Sequence, residues 1–165
     1  MKNLLLAFLL LFTFNSYAQE LIEYDFDENL TVNIPESSEE GEQGGQKFIR
    51  GMIGDHVVVI SRSDKAAKLT IKDDNGLLKL YQGYRDGMLK SASGKVISEE
   101  IIEIGPVKAL NFSFPLQAGN QSKVVTNYIF YWKKNIYTIQ FLSPEKQSDN
   151  FKATRSTIIN SIKTH

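Results

Sequence analysis

Two short apolar runs, a tight turn between them and an amphipathic stretch after them fill residues 123–163. No other part of the chain constrains the fold as strongly. Residues 123–133 and 136–142 are dense in β-branched and aromatic side chains, the composition of paired strands. With Lys134-Asn135 as a two-residue turn, Trp132 faces Tyr137, Phe130 faces Ile139 and Tyr128 faces Phe141. These six side chains then share one side of a sheet. Tyr131 with Thr138, Ile129 with Gln140 and Asn127 with Leu142 take the other. A slip of one residue would turn one strand's side chains over, so the pattern supports this register and names one core face. Lysine is a poor first residue for a type I′ turn, which leaves a longer loop as the alternative.

Ser143-Pro144-Glu145 carries helix-start signals: an N-cap hydroxyl, Pro at the first helical position and an acid in the first turn. Ser148-Asp149 is a rival start. Phe151, Ile158, Ile159 and Ile162 then share one stripe of the helix. Arg155 interrupts that stripe, about 40° from Phe151 on a wheel turning about 100° per residue. It can lay its stem on the core with its head in water, pair with a buried acid, or hold an anionic ligand.

Earlier segments read as partners of this unit. Residues 20–25 and 30–34 are short strands around Asp27-Glu28-Asn29, and Pro35 ends the second. Residues 36–46 form a polar, acidic loop without the alternating Asp/Asn spacing of a calcium site. Residues 47–53 and 56–62 make a hairpin across Gly54-Asp55. The run 57–60 is apolar at every position, which predicts a strand covered on both faces. His56 sits at the turn edge as an exposed histidine. Residues 73–93 read as a long helix with Asp73 or Asp74 as cap and Gly94 as terminator. Its stripe is Leu77, Tyr81, Tyr84, Met88 and Ala92, with an Asp86–Lys90 pair on the opposite side. Gly83 and Gly87 lie with Gly76 on one flank. An interior glycine costs about 1 kcal/mol relative to alanine, so it marks either tolerated packing or the close approach of a backbone or ligand. Residues 95–104 and 107–116 form a further hairpin turned at Gly105-Pro106, and residues 118–122 form a loop.

The N-terminal stretch reads as a targeting signal. Lys2 precedes an apolar run at residues 4–14, too short to span a bilayer comfortably, and Ser16-Tyr17-Ala18 fits a cleavage site. The expected organisation is a signal peptide over 1–18 and a single α+β domain over 19–165. Export to the periplasm or the outside follows, with no transmembrane segment in the mature chain. There is no cysteine, which excludes disulfides, thiolate metal sites and cysteine nucleophiles. With 19 basic and 19 acidic residues in all, nothing argues for nucleic acid.

Catalytic signatures are sparse. Ser143-Pro144-Glu145-Lys146 matches S-x-x-K and Ser148-Asp149-Asn150 matches S-D-N, fragments of penicillin-binding enzymes. Those enzymes bring the two together from distant segments, whereas here one residue separates them and capping explains both. Two histidines, His56 and His165, make a poor zinc site or triad. Carboxylate pairs of the glycosidase kind stay open. Catalytic, cofactor-binding and metal residues are therefore assigned as none. Arg155, Gly83 and Gly87 stand as candidate binding residues.

The order of elements, with Leu30-Thr31-Val32-Asn33-Ile34-Pro35, Gly105-Pro106-Val107-Lys108-Ala109, Tyr137-Thr138-Ile139-Gln140-Phe141, Phe151 and Ile158-Ile159-Asn160-Ser161-Ile162-Lys163, resembles the PsbP-like superfamily. The likeness spans most of the mature chain. It departs from the photosynthetic members in lacking matching metal-ligand histidines and in the acidic loop between its first strands. The resemblance implies an antiparallel sheet built from hairpins and flanked by two main helices. It also implies an accessory or binding role rather than catalysis, and it carries over no functional residue. Two functions are expected: a non-catalytic accessory protein that binds another envelope protein, or a carrier of a small apolar or amphipathic ligand between sheet and helix. Trp132, Tyr128 and Tyr81 are the aromatics available to line the carrier's pocket.

Overall fold

The computed structural model describes residues 20–43, 46–118 and 120–165. The expected signal peptide over 1–18 lies outside the described residues. Among the described residues ten strands and two helices follow one another: β1 (Leu21–Asp27), β2 (Leu30–Pro35), β3 (Glu39–Gln43), β4 (Gln46–Ile53), β5 (His56–Ser63), α1 (Asp74–Ala92), β6 (Ser98–Ile104), β7 (Val107–Ala118), β8 (Gln121–Trp132), β9 (Asn135–Pro144), α2 (Asp149–Asn160) and β10 (Lys163–Thr164). β3-β4-β5-β9-β8-β7-β6 form a seven-stranded sheet, and β1-β2-β10 form a smaller one. Every pairing is antiparallel. This is the α+β architecture of hairpins and two helices that the sequence predicts.

Alternation along the strands divides the molecule into two cores. On one side of the large sheet, Val58, Ile60, Phe130, Tyr137, Ile139 and Phe141 pack against Phe26, Leu30, Val32 and Ile34 of the small sheet, Phe151, Ile158 and Ile159 of α2, and Ile162 just beyond that helix. On the other side, Leu110, Phe112, Phe114 and Ile129 pack under Tyr81 of α1, with Leu77, Tyr84, Met88 and Ala92 beside it. The stripes read from sequence on both helices are the faces that bury.

Several local expectations are corrected. The β8–β9 turn is Lys133-Lys134, not Lys134-Asn135. Both lysines take positive φ, 44° and 66°, as a type I′ turn demands. Phe130 therefore faces Tyr137, and Tyr128 faces Ile139. The pairing moves by two residues, an even step, so every side chain keeps its face. α2 starts at the rival position. Ser148 caps it by accepting from Phe151 N at 3.1 Å, while Ser143 and Pro144 still belong to β9. The acidic loop contains β3, and the ring of Phe48 covers Gly41 so closely that a Cβ there would lie 2.3 Å from it. The aromatic shields the edge glycine of an otherwise glutamate-rich strand. α1 ends on Ser93 in the left-handed region rather than on Gly94. Asp86 pairs with Arg85 at 2.8 Å, and Arg85 also reaches Glu99, so the expected Asp86–Lys90 pair is replaced. β5 is central but half covered: Val58 and Ile60 are buried, Val57 and Val59 only partly.

Candidate functional site

The incomplete cover over β5 follows from how α1 is anchored. Asp73 caps the helix by accepting from Gly76 N at 2.7 Å. About two turns later, Tyr81 is buried, and its hydroxyl donates to Lys108 O at 2.6 Å and accepts from Tyr131 N at 3.0 Å. These two backbone groups lie one step beyond the last β7–β8 pair, Ala109 with Phe130. The tyrosine thus takes the place of a ladder bond and pins α1 over β7 and β8. Burial pushes its hydroxyl up to about 12, so it stays protonated and donates.

Beyond β8 the helix no longer covers the sheet, and an open groove of about 930 Å³ remains. Its floor is Val125, Gln140 and Leu142. One wall is the flank of α1 with Gly83, Tyr84, Gly87 and Met88. The opposite wall is the segment after β5, with Lys65, Ala66 and Leu69, and Phe114 and Leu116 close one end. A Cβ built on Gly83 or Gly87 would meet nothing within 4 Å. Lys65 is the one charged residue on this lining, and among the described residues it makes no ion pair. Under the floor, Asn127 is fully buried. Its carbonyl accepts from Gln140 Nε2 at 2.9 Å, and its amide nitrogen has no protein partner.

The other face of the sheet carries a closed polar cluster. His56 is 6% exposed, not the exposed turn residue expected, because Phe151 of α2 lies flat on it with ring centroids 3.4 Å apart and 3° between planes. Nε2 contacts Asp55 at 3.1 Å, and Nδ1 has no protein partner. Ser143, one register step beyond the Val57–Leu142 pair, is likewise buried with an unpartnered hydroxyl. Burial holds the imidazole below its usual pKa, and Lys123 and Arg155 add to the effect against Asp55. Arg155 lies on this side. Its guanidinium donates to Gln147 Oε1 at 3.1 Å and sits 5.8 Å over the Phe151 ring. Its partners are an amide and an aromatic face, not a buried acid.

A third feature is an acidic cleft of about 540 Å³ holding Glu23, Asp25, Asp27 and Glu28 with Lys163 and His165. Its carboxylates are engaged. Asp25 accepts from Thr31 at 2.6 Å, Asp27 from Arg62 at 2.9 Å and from Tyr137 at 3.0 Å, and Glu23 pairs with Lys163. The Asp27 contacts tie the β1–β2 turn to β5 and β9. Among the described residues no group of His and acidic side chains is placed to hold a metal ion.

The three candidate binding residues do not form one site. Gly83 and Gly87 line the groove, and Arg155 lies on the opposite face of the large sheet. The aromatics expected for a pocket are elsewhere. Tyr81 is a buried anchor, Tyr128 packs in the α2-side core, and Trp132 lines a separate depression of about 520 Å³. Tyr84 and Phe114 supply the groove's rings instead. Lys65 and Leu69 were not legible as site residues. They stand in a short segment outside the predicted strands and helices, where Ala66, Ala67, Leu69 and Ile71 are scattered among lysines.

The architecture is an α+β fold similar to that of PsbP. The solution structure of cyanobacterial PsbP (CyanoP) from Synechocystis matches with a TM-score of 0.63 at 12% identity, over 92% of this chain and 96% of that one. LpqN, involved in cell envelope biogenesis of Mycobacterium tuberculosis, matches with a TM-score of 0.50 at 11% identity, over 88% and 90%. A Bacteroides thetaiotaomicron protein matches with a TM-score of 0.52 at 14% identity. The likeness there covers 82% of this chain but 45% of that one. No family model and no curated protein matches the sequence. At such identities the likeness concerns the fold. Among the described residues no helix is long and apolar enough to cross a membrane.

Proposed function

We propose that this is an exported, non-catalytic binding protein that holds a small apolar or amphipathic ligand in the groove between α1 and the large sheet. The observation that carries this reading is the groove itself: about 930 Å³, mostly apolar, bounded by a helix flank that two glycines keep low. Volumes of this order are typical of small-molecule sites. Export rests on the targeting signal read at the N-terminus. The non-catalytic reading rests on where the polar side chains lie. His56 is covered by Phe151, Ser143 is fully buried, and the acidic cleft is spent on structural contacts. Native mass spectrometry of protein purified from its own envelope without detergent tests the proposal. An added mass that Gly83→Leu removes supports it; apo protein in every preparation would sink it.

A second reading, docking on another envelope protein, is favoured by one observation. The segment entering and forming edge strand β6 exposes Ile97 (61%) and Ile101 (48%) beside an unpaired sheet edge. Such an edge can accept a partner's strand. Cross-linked pull-down from envelope extract should then lose its partner on Ile101→Lys, and a partner retained by that variant excludes this edge as the contact.

A further inference from the structure

We infer that the groove's ligand is a single-chain amphipath with an anionic head, a fatty carboxylate in chemical class, lying along the floor with its head at Lys65. The inference rests on the groove reading above and sharpens it. Charge comes first. The chain carries as many acids as bases, yet no carboxylate lines the groove and one cation does. That ammonium has no ion-pair partner among the described residues, so a ligand anion would meet it without displacing a protein one. Lys65 is itself exposed, so an anionic head would stay in water beside it while the chain lies on the apolar lining.

Shape comes second. Val125 and Leu142 below, Ala66 and Leu69 on one side and Tyr84 and Met88 on the other give an apolar path through the open groove. A mostly apolar path with a single cation suits an alkyl chain with a charged head rather than a compact polar metabolite. Gly83 and Gly87 stand along this path, and no side chain of the protein requires their lack of a Cβ. Chemistry comes third, and it separates an alkyl chain from a peptide. The floor is a sheet face, one wall is a helix flank and the other is a segment outside the strands, so no strand edge is offered. An extended peptide there would bury its amides without partners, at a cost that an alkyl chain does not meet.

The test is fluorescence titration of the purified protein with cis-parinaric acid, followed by displacement with palmitate and with hexadecanol. The two competitors share a chain and differ in head charge. Palmitate should bind about tenfold more tightly than hexadecanol, the scale of one charge-assisted contact. Lys65→Met should erase that difference by weakening palmitate alone. Gly83→Leu should weaken both, and because leucine is a better helix former its thermal unfolding should show an intact fold. Equal displacement by the two competitors, unaffected by Lys65→Met, overturns the anionic head. If native mass spectrometry finds a Gly83→Leu-sensitive mass while neither competitor binds, the groove reading stands and this inference falls. If parinaric acid does not bind and no mass is found, both fall.

Discussion

His56 shows how burial changes the meaning of a residue. In sequence it is a histidine beside a Gly-Asp turn; in the fold it is a ring stacked on Phe151 with one nitrogen unpartnered. Its folded pKa lies below the usual 6.5, so between the two values the unfolded chain binds more protons than the folded one. This contribution to stability is therefore present above the unfolded pKa near 6.5 and is lost as pH falls through the folded value. Thermal unfolding followed from pH 7.5 to pH 5 should show a falling midpoint. His56→Gln, which does not titrate, should flatten that part of the profile. An unchanged slope in the variant would assign the loss to other groups. The protonated ring would also face Lys123 and Arg155, with Asp55 as its one counter-charge.

At the scale of elements, local pattern and tertiary demand agree on faces and disagree on ends. The β8–β9 turn lies one residue earlier than the Asn would suggest, because Lys133 and Lys134 both accept the left-handed conformation that the strand twist requires. The start of α2 passes over Ser143-Pro144, because Ser143 continues the ladder opposite Val124. A capping signal cannot report that its residue is already committed to a sheet. α1 is the element where composition departs most from helical preference. Since a Cβ at Gly83 or Gly87 meets open space, alanine at either position should raise stability by about 1 kcal/mol, by propensity alone. Urea denaturation of Gly83→Ala and Gly87→Ala measures this. A loss of stability would mean that the flank packs more closely than its geometry shows. A gain in stability joined to weaker ligand binding would show the exchange of stability for function expected at a binding wall.

At the scale of the whole molecule, the two faces of the large sheet are unequal. The small sheet and α2 close one face, whereas α1 covers β7 and β8 and leaves β9 and β5 half open. Period and composition determined much of this chain by themselves. A strand alternates strictly and a helix stripe repeats at a fixed angle, so Phe130, Tyr137, Ile139, Phe151, Tyr81 and Met88 were assignable to inner faces from their spacing alone. The α+β class and the hairpin order followed in the same way. Tertiary structure alone decided the register of the turn, the conversion of the acidic loop into β3, the burial of His56 and the separation of Arg155 from Gly83 and Gly87. It alone also decided the groove. A groove is the space left among α1, the segment after β5 and the strands β8 and β9, and those segments meet across long stretches of chain. No local period records a volume that none of them fills.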